Sequence, residues 1–191
     1  MHFIRGLWIG MFFLVQICFT TVAEQSRFSW SNLPPLPVTT GLEGAFAGTS
    51  GRHLIVAGGV ESVSDSPSKS PLVRNEIFLL DLDQIEKGWR KSETVIPAAI
   101  GHGVSIQLTE GVLCVSGGDS HKNFKSVFLL TVQDRSLQVS LFPELPIPLA
   151  HVCGDRVGNK VYIAGGRFAP DTNETSSEFL CLDLEDLGGG W

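Results

Sequence analysis

Six ionisable residues stand where proton transfer or anion binding would need them. Asp119 and Arg167 directly follow the glycine pairs Gly117-Gly118 and Gly165-Gly166, while Val60 follows Gly58-Gly59. Glu43, His102 and His151 stand near the starts of apolar runs, and Arg74 lies in a polar loop. Imidazoles and carboxylates exchange protons near neutral pH. A guanidinium matches a carboxylate in a planar, two-pronged geometry. The set therefore suits acid–base chemistry on an anionic substrate. Plainer roles also fit. Asp119-Ser120 suits an Asx turn. His102, between Gly101 and Gly103, suits a space-filling strand start, and His151 suits a hydrogen-bonded place within a sheet. Arg167 resists such a reading most, because a charge beside a glycine pair is hard to bury unpaired. No nucleophile elbow, phosphate loop or zinc motif is present, so no metal or cofactor is expected. The acid and base of any reaction stay unassigned.

The elements that must carry these residues follow from a repeat. Three segments share one order of features: a glycine-containing start, an apolar run ending in the glycine pair, a polar loop, and a second apolar run. The runs are HLIVAGG, VLCVSGG and VYIAGG, then NEIFLLDLD, KSVFLLTVQ and SEFLCLDLED. Trp89 and Trp191 close the first and third segments. A period of roughly 40–50 residues with strand-like content indicates propeller blades. Ser50-Gly51, Glu110-Gly111 and Gly158-Asn159 read as hairpin turns into the strand that ends at the glycines. The fourth strand is expected to begin near the tryptophan and lead into a Pro-containing segment. Blade units of about 41–89, 97–140 and 147–191 result.

Composition agrees. A 43% hydrophobic chain with Gly 21 and a single Tyr suits many short strands joined by turns. Fourteen Lys+Arg against 20 Asp+Glu argue against a nucleic-acid partner. Residues 1–23 read as a secretory signal peptide: Arg5, an apolar run from Gly6 to Phe19, then Thr21-Val22-Ala23. The run is short for a membrane span. The mature protein, residues 24–191, is thus expected to be exported (periplasmic or secreted) with no stable membrane span. It keeps Cys114, Cys153 and Cys181, an odd number that leaves a thiol unpaired. Cys114 and Cys181 lie in apolar runs and read as small buried hydrophobes.

The glycine pair after an apolar strand, followed by a loop, a second apolar strand and a Trp, resembles the kelch motif over about residues 41–191. Within that group, Trp30-Ser-Asn-Leu-Pro-Pro-Leu-Pro37, Gly44-Ala-Phe-Ala-Gly48 and Leu54-Ile-Val-Ala-Gly-Gly59 resemble the start of the N-acetylneuraminate epimerases, or sialic acid mutarotases. Leu149-Ala-His-Val-Cys-Gly154 with Val161-Tyr-Ile-Ala-Gly-Gly166 is similar to a later blade of those proteins. The resemblance implies an all-β, six-bladed kelch-type β-propeller acting on the anomeric carbon of sialic acid. It also implies that Arg167, Asp119, His102, His151, Glu43 and Arg74 face the ligand at one mouth of the channel. The chain departs from the family at Val60-Glu61-Ser62-Val63 and at Lys69-Ser70-Pro71-Leu72-Val73-Arg74, both in the first blade's loop.

Three four-stranded antiparallel blades are fewer than the four a closed propeller needs. The sequence therefore reads as a truncated half-ring, with 30–37 as a closing strand whose blade is missing. Open blade edges are expected to favour self-association. Two functions remain: a sugar mutarotase, inactive as a half-ring, or a non-catalytic kelch module binding a protein or glycan.

Overall fold

The computed structural model describes residues 29–61 and 71–191. The expected signal peptide and residues 62–70 of the first blade's loop lie outside the described residues. Residues 29–32 belong to a separate unit and carry no strand; the sheets all belong to residues 33–191.

The first segment runs β1 (Phe46–Ser50), β2 (His53–Ala57), a short ribbon of β3 (Val60–Glu61) and β4 (Leu72–Val73), then β5 (Ile77–Asp81) and β6 (Arg90–Lys91). The second comprises β7 (Val104–Gln107), β8 (Gly111–Val115), β9 (Val127–Gln133) and β10 (Ser136–Leu141). The third comprises β11 (Cys153–Val157), β12 (Lys160–Ala164) and β13 (Phe179–Asp183). The sheets are ordered β1-β2-β5-β6, β7-β8-β9-β10 and β11-β12-β13, and every pairing is antiparallel. This is a partial β-propeller. Two blades have the expected four strands and the third has three.

The hairpin expected at Gly158-Asn159 forms at those two residues. The run IFLLDLDQIEKGW, which carries some helical character, gives strand β5 followed by a single 3-10 turn at Ile85–Lys87. The 33–37 part of the expected closing strand pairs with no strand among the described residues. Instead Trp89 Nε1 donates to the Pro34 carbonyl at 2.8 Å, and Trp191 Nε1 donates to the Pro143 carbonyl at 2.7 Å. Each tryptophan thus ties the end of its blade to the proline segment that precedes that blade.

Burial follows from stacking. Blade 2 lies between the others, and β8 is buried at every position. One core joins Phe46, Ile55, Ile77 and Leu79 of blade 1 to Val112, Cys114, Phe128 and Leu130 of blade 2. Phe46 and Phe128 meet edge to face, 5.6 Å between centroids. A second core joins Ile106, Leu113, Val127 and Leu129 to Val161, Ile163 and Leu182 of blade 3. Cys114 is fully buried, and burial pushes its thiol well up from the usual range, so it stays a neutral apolar filler. Cys181 is half-buried and Cys153 exposed; both are free thiols. Blade 3 has one open face: Phe179 is 69% and Val157 68% exposed.

Polar contacts also cross between blades. Ser50, 3% exposed, donates from Oγ to the Glu110 carbonyl at 2.6 Å and accepts from the Val132 amide at 2.9 Å. Ser50→Ala strands both groups, and a stranded buried group costs about 1–3 kcal/mol. Urea unfolding should show a loss in that range; an unchanged midpoint would count against this bridge.

Candidate functional site

The glycine pairs set the register of the site through hydrogen bonds that recur in each blade. Gly58 donates to the Glu76 carbonyl, Ser116 to Ser126 and Gly165 to Glu178. The backbone is left-handed at all three, with φ of 62°, 64° and 67°. The second blade's true equivalent of a Gly-Gly pair is therefore Ser116-Gly117, one residue earlier than Gly117-Gly118. A serine occupies the left-handed position because its hydroxyl donates to the Leu149 carbonyl of the next blade. Val60, Gly118 and Arg167 are consequently the equivalent residues after each pair, and Asp119 stands one position further on. Bridges Glu43–Val60, Gly101–Gly118 and Ala150–Arg167 recur at the same sequence interval.

The residue after each of these bridges is Gly44, His102 and His151, again left-handed at φ 61°, 59° and 55°. Their backbones are chained: His102 N–H donates to the Gly44 carbonyl at 2.8 Å, and His151 N–H to the His102 carbonyl at 2.7 Å. Gly44 must be glycine, since a Cβ there would lie 2.5 Å from His102 Nδ1. The His102 ring is thereby free to lie against the first blade, and His151 stacks on it with centroids 4.5 Å apart and planes 25° from parallel. A non-glycine residue in this region is strained, and such strain concentrates at functional sites.

His102, His151, Asp119 and Arg167 line one recess of about 160 Å³, together with Asn123 and Gly118. Although His151 is exposed overall, the stacked His102 covers one ring face. Desolvation, the charge of His102 and the charge of Arg167 together hold the His151 pKa below the usual histidine value, while Glu43 opposes them. His151 is thus a neutral proton acceptor at pH 7. Arg167 is half-buried; its Nη2 reaches Asn173 Oδ1 at 3.3 Å, leaving most of its donors free.

Two expected residues have other work. Asp119 Oδ1 accepts from the backbone amides of His121 and Lys122 at 2.7 and 2.8 Å, an Asx-type turn at the recess edge. Glu43, expected to face the ligand, does not line the recess, and Arg74 does not join it either. Arg74 Nε donates to Glu61 Oε2 at 2.7 Å and its Nη1 to Glu76 Oε1 at 3.0 Å. Glu61 is buried and also accepts from Thr39 and Thr40 hydroxyls, and Arg74 above all holds its carboxyl below the usual range. Asn123 is the site residue that sequence reasoning missed. Its side-chain amide donates to the Arg167 carbonyl at 2.8 Å and so positions the arginine's backbone. Its signal, the place equivalent to Val73 and Thr175 in the other blades, needs the corrected register. Among the described residues no group of three or more His, Cys, Asp or Glu is placed to hold a metal ion.

Repeated blades, recurring left-handed positions and a notch between strand starts define a kelch-like partial β-propeller. No protein-family model and no curated protein matches the sequence. Among solved structures the chain is similar to YjhT, with a TM-score of 0.66 at 15% identity. The match covers 82% of this chain and 53% of YjhT, so the chain spans about half that neighbour's length. At that identity the likeness establishes the fold.

Proposed function

We propose that the recess at His102, His151 and Arg167 binds the carboxylate and anomeric centre of a sialic acid, and that a closed ring built on it exchanges the two anomers. The observation that carries this reading is the convergence of a neutral imidazole and a free guanidinium on one notch. Anomer exchange opens the sugar ring: the anomeric hydroxyl gives up a proton and the ring oxygen receives one. His151 is suited to the first transfer, and Arg167 to holding the carboxylate by paired hydrogen bonds. A volume of about 160 Å³ is small beside the ~300–1,000 Å³ of ordinary ligand sites. The notch therefore holds one side of the sugar, and further blades would hold the other.

A non-catalytic kelch module binding a glycan or protein is the second reading. The observation favouring it is that Asp119, one of the available acids, is taken up by its own loop. Saturation-transfer NMR with N-acetylneuraminic acid tests the binding step common to the sugar readings. Signal on the ligand is expected with the 191-residue chain and should vanish for Arg167→Ala. Persistence of the signal in that variant would remove Arg167 from the site, and absence of signal from the parent would favour a protein ligand.

A further inference from the structure

A larger recess, about 350 Å³, opens at the opposite ends of the strands, where the first two blades meet. His53, Asp81, Lys87, Arg90 and Arg135 line it. Three of these are permanent cations at neutral pH, against one carboxylate. That carboxylate is already engaged, because Asp81 Oδ1 accepts from the Asp83 amide at 2.9 Å. The ion pairs among the described residues involve Arg52, Arg74, Lys91 and Lys160, and none involves Lys87, Arg90 or Arg135. Lys87 meets only the Gln84 side-chain oxygen, and Arg90 Nη2 donates to the Arg135 backbone carbonyl at 3.3 Å. On a chain of formal charge −6, three unpaired cations around one concavity are a local reversal of sign.

A second observation is independent of charge. Asp134 and Arg135 form the two-residue turn between β9 and β10 with φ of 49° and 64°. Both are left-handed, the geometry of a type I′ hairpin, in which glycine at the second position is the unstrained choice. Arginine stands there instead, and the turn that strains it brings it to the recess wall. Arg90 fixes the same turn from the neighbouring blade.

We propose that this recess is an oxyanion site, taking phosphate, sulfate or the anionic end of a larger ligand, with Arg90 and Arg135 as its principal donors. Guanidinium groups suit such a ligand because they present paired N–H donors to two oxygens at once. Lys87 adds charge without fixed geometry. The site is separate from the His151–Arg167 recess and does not depend on how that recess is used.

Titration of the 191-residue chain with inorganic phosphate, followed by calorimetry and by phosphorus NMR line width, is the test. Saturable binding at one site per chain is expected, weakened by added salt. Arg135→Gly should weaken it about tenfold or more, the equivalent of one charge-assisted hydrogen bond. Glycine relieves the turn, so this variant should unfold no more readily than the parent, and Arg90→Gln should weaken binding while removing only the single hydrogen bond that Arg90 gives the turn. Arg167→Ala should leave phosphate binding unchanged. Binding that never saturates, that survives both Arg135→Gly and Arg90→Gln, or that is lost with Arg167→Ala would overturn the proposal.

Discussion

The 191-residue chain alone is expected to leave anomer exchange of sialic acid at its spontaneous rate, whereas a chain carrying the ring to closure should raise it ~10²–10⁴-fold, the worth of a positioned acid–base pair. Two features of the three blades motivate the contrast. His151 and Arg167 belong to the third blade, and that blade has an open face where Phe179 and Val157 are more than half exposed. Water on that side screens the charge of Arg167 and competes for hydrogen bonds to the sugar. The same charge acts far more strongly in a closed, low-dielectric site. The pH profile gives a further check. Because the His151 pKa lies below the usual histidine value, the imidazole stays neutral as pH falls past that value, and the closed ring should lose activity only at lower pH. Proton NMR on freshly released sugar follows the exchange. Clear acceleration by the three-blade chain would refute the argument, and an inactive closed ring would favour the binding module.

Gly117→Ala should be strongly destabilising. Gly117 sits at φ 112°, outside the range an L side chain readily adopts. An added Cβ would also lie 2.5 Å from Ile100 Cγ2 and 2.6 Å from the Gly101 carbonyl oxygen. Ile100 is fully buried in the core between the first two blades, so it has little room to retreat. Backbone strain of about 1–3 kcal/mol and overpacking of about 1–3 kcal/mol therefore act together. The amide of Gly117 also donates across to the Leu149 carbonyl of the third blade at 3.0 Å, so a shift there disturbs two blade junctions. Gly51→Ala is the internal control. Gly51 has φ 55° but an added methyl there would meet nothing within 4 Å, so only the backbone cost of roughly 1–2 kcal/mol applies. Urea denaturation of the two variants should separate them clearly; equal losses would show that the close approach at Gly117 is easily relieved.

Much of the architecture was legible along the chain because strand chemistry is local. Apolar runs such as HLIVA and VFLLTV, bounded by turn residues, specify strands through side-chain fit to a pleated, buried surface. Their recurrence specifies blades, since each sheet is left with apolar faces that only a neighbouring blade covers. The presence of Arg167, His102 and His151 at repeat-equivalent places was likewise visible from spacing.

Tertiary structure alone decided which of these residues meet. Matching Gly117-Gly118 to the other glycine pairs misplaces the second blade's loop by one residue, because composition cannot reveal that Ser116 holds the left-handed position through a hydrogen bond to the next blade. Arg74 and Arg167 are both loop arginines in sequence, though only Arg167 directly follows a glycine pair. Glu61, Glu76, Thr39 and Thr40 bind up the first cluster, and only Arg167 keeps its donors toward the recess. The stack of His102 on His151, and with it the neutral imidazole, depends on two backbones brought together from separate blades and on the missing side chain of Gly44. Strand formation is determined by neighbours a few residues away. Ion pairing, ring stacking and desolvation depend on distances in space between segments some 50 residues apart in the chain, and only the packed blades set those distances.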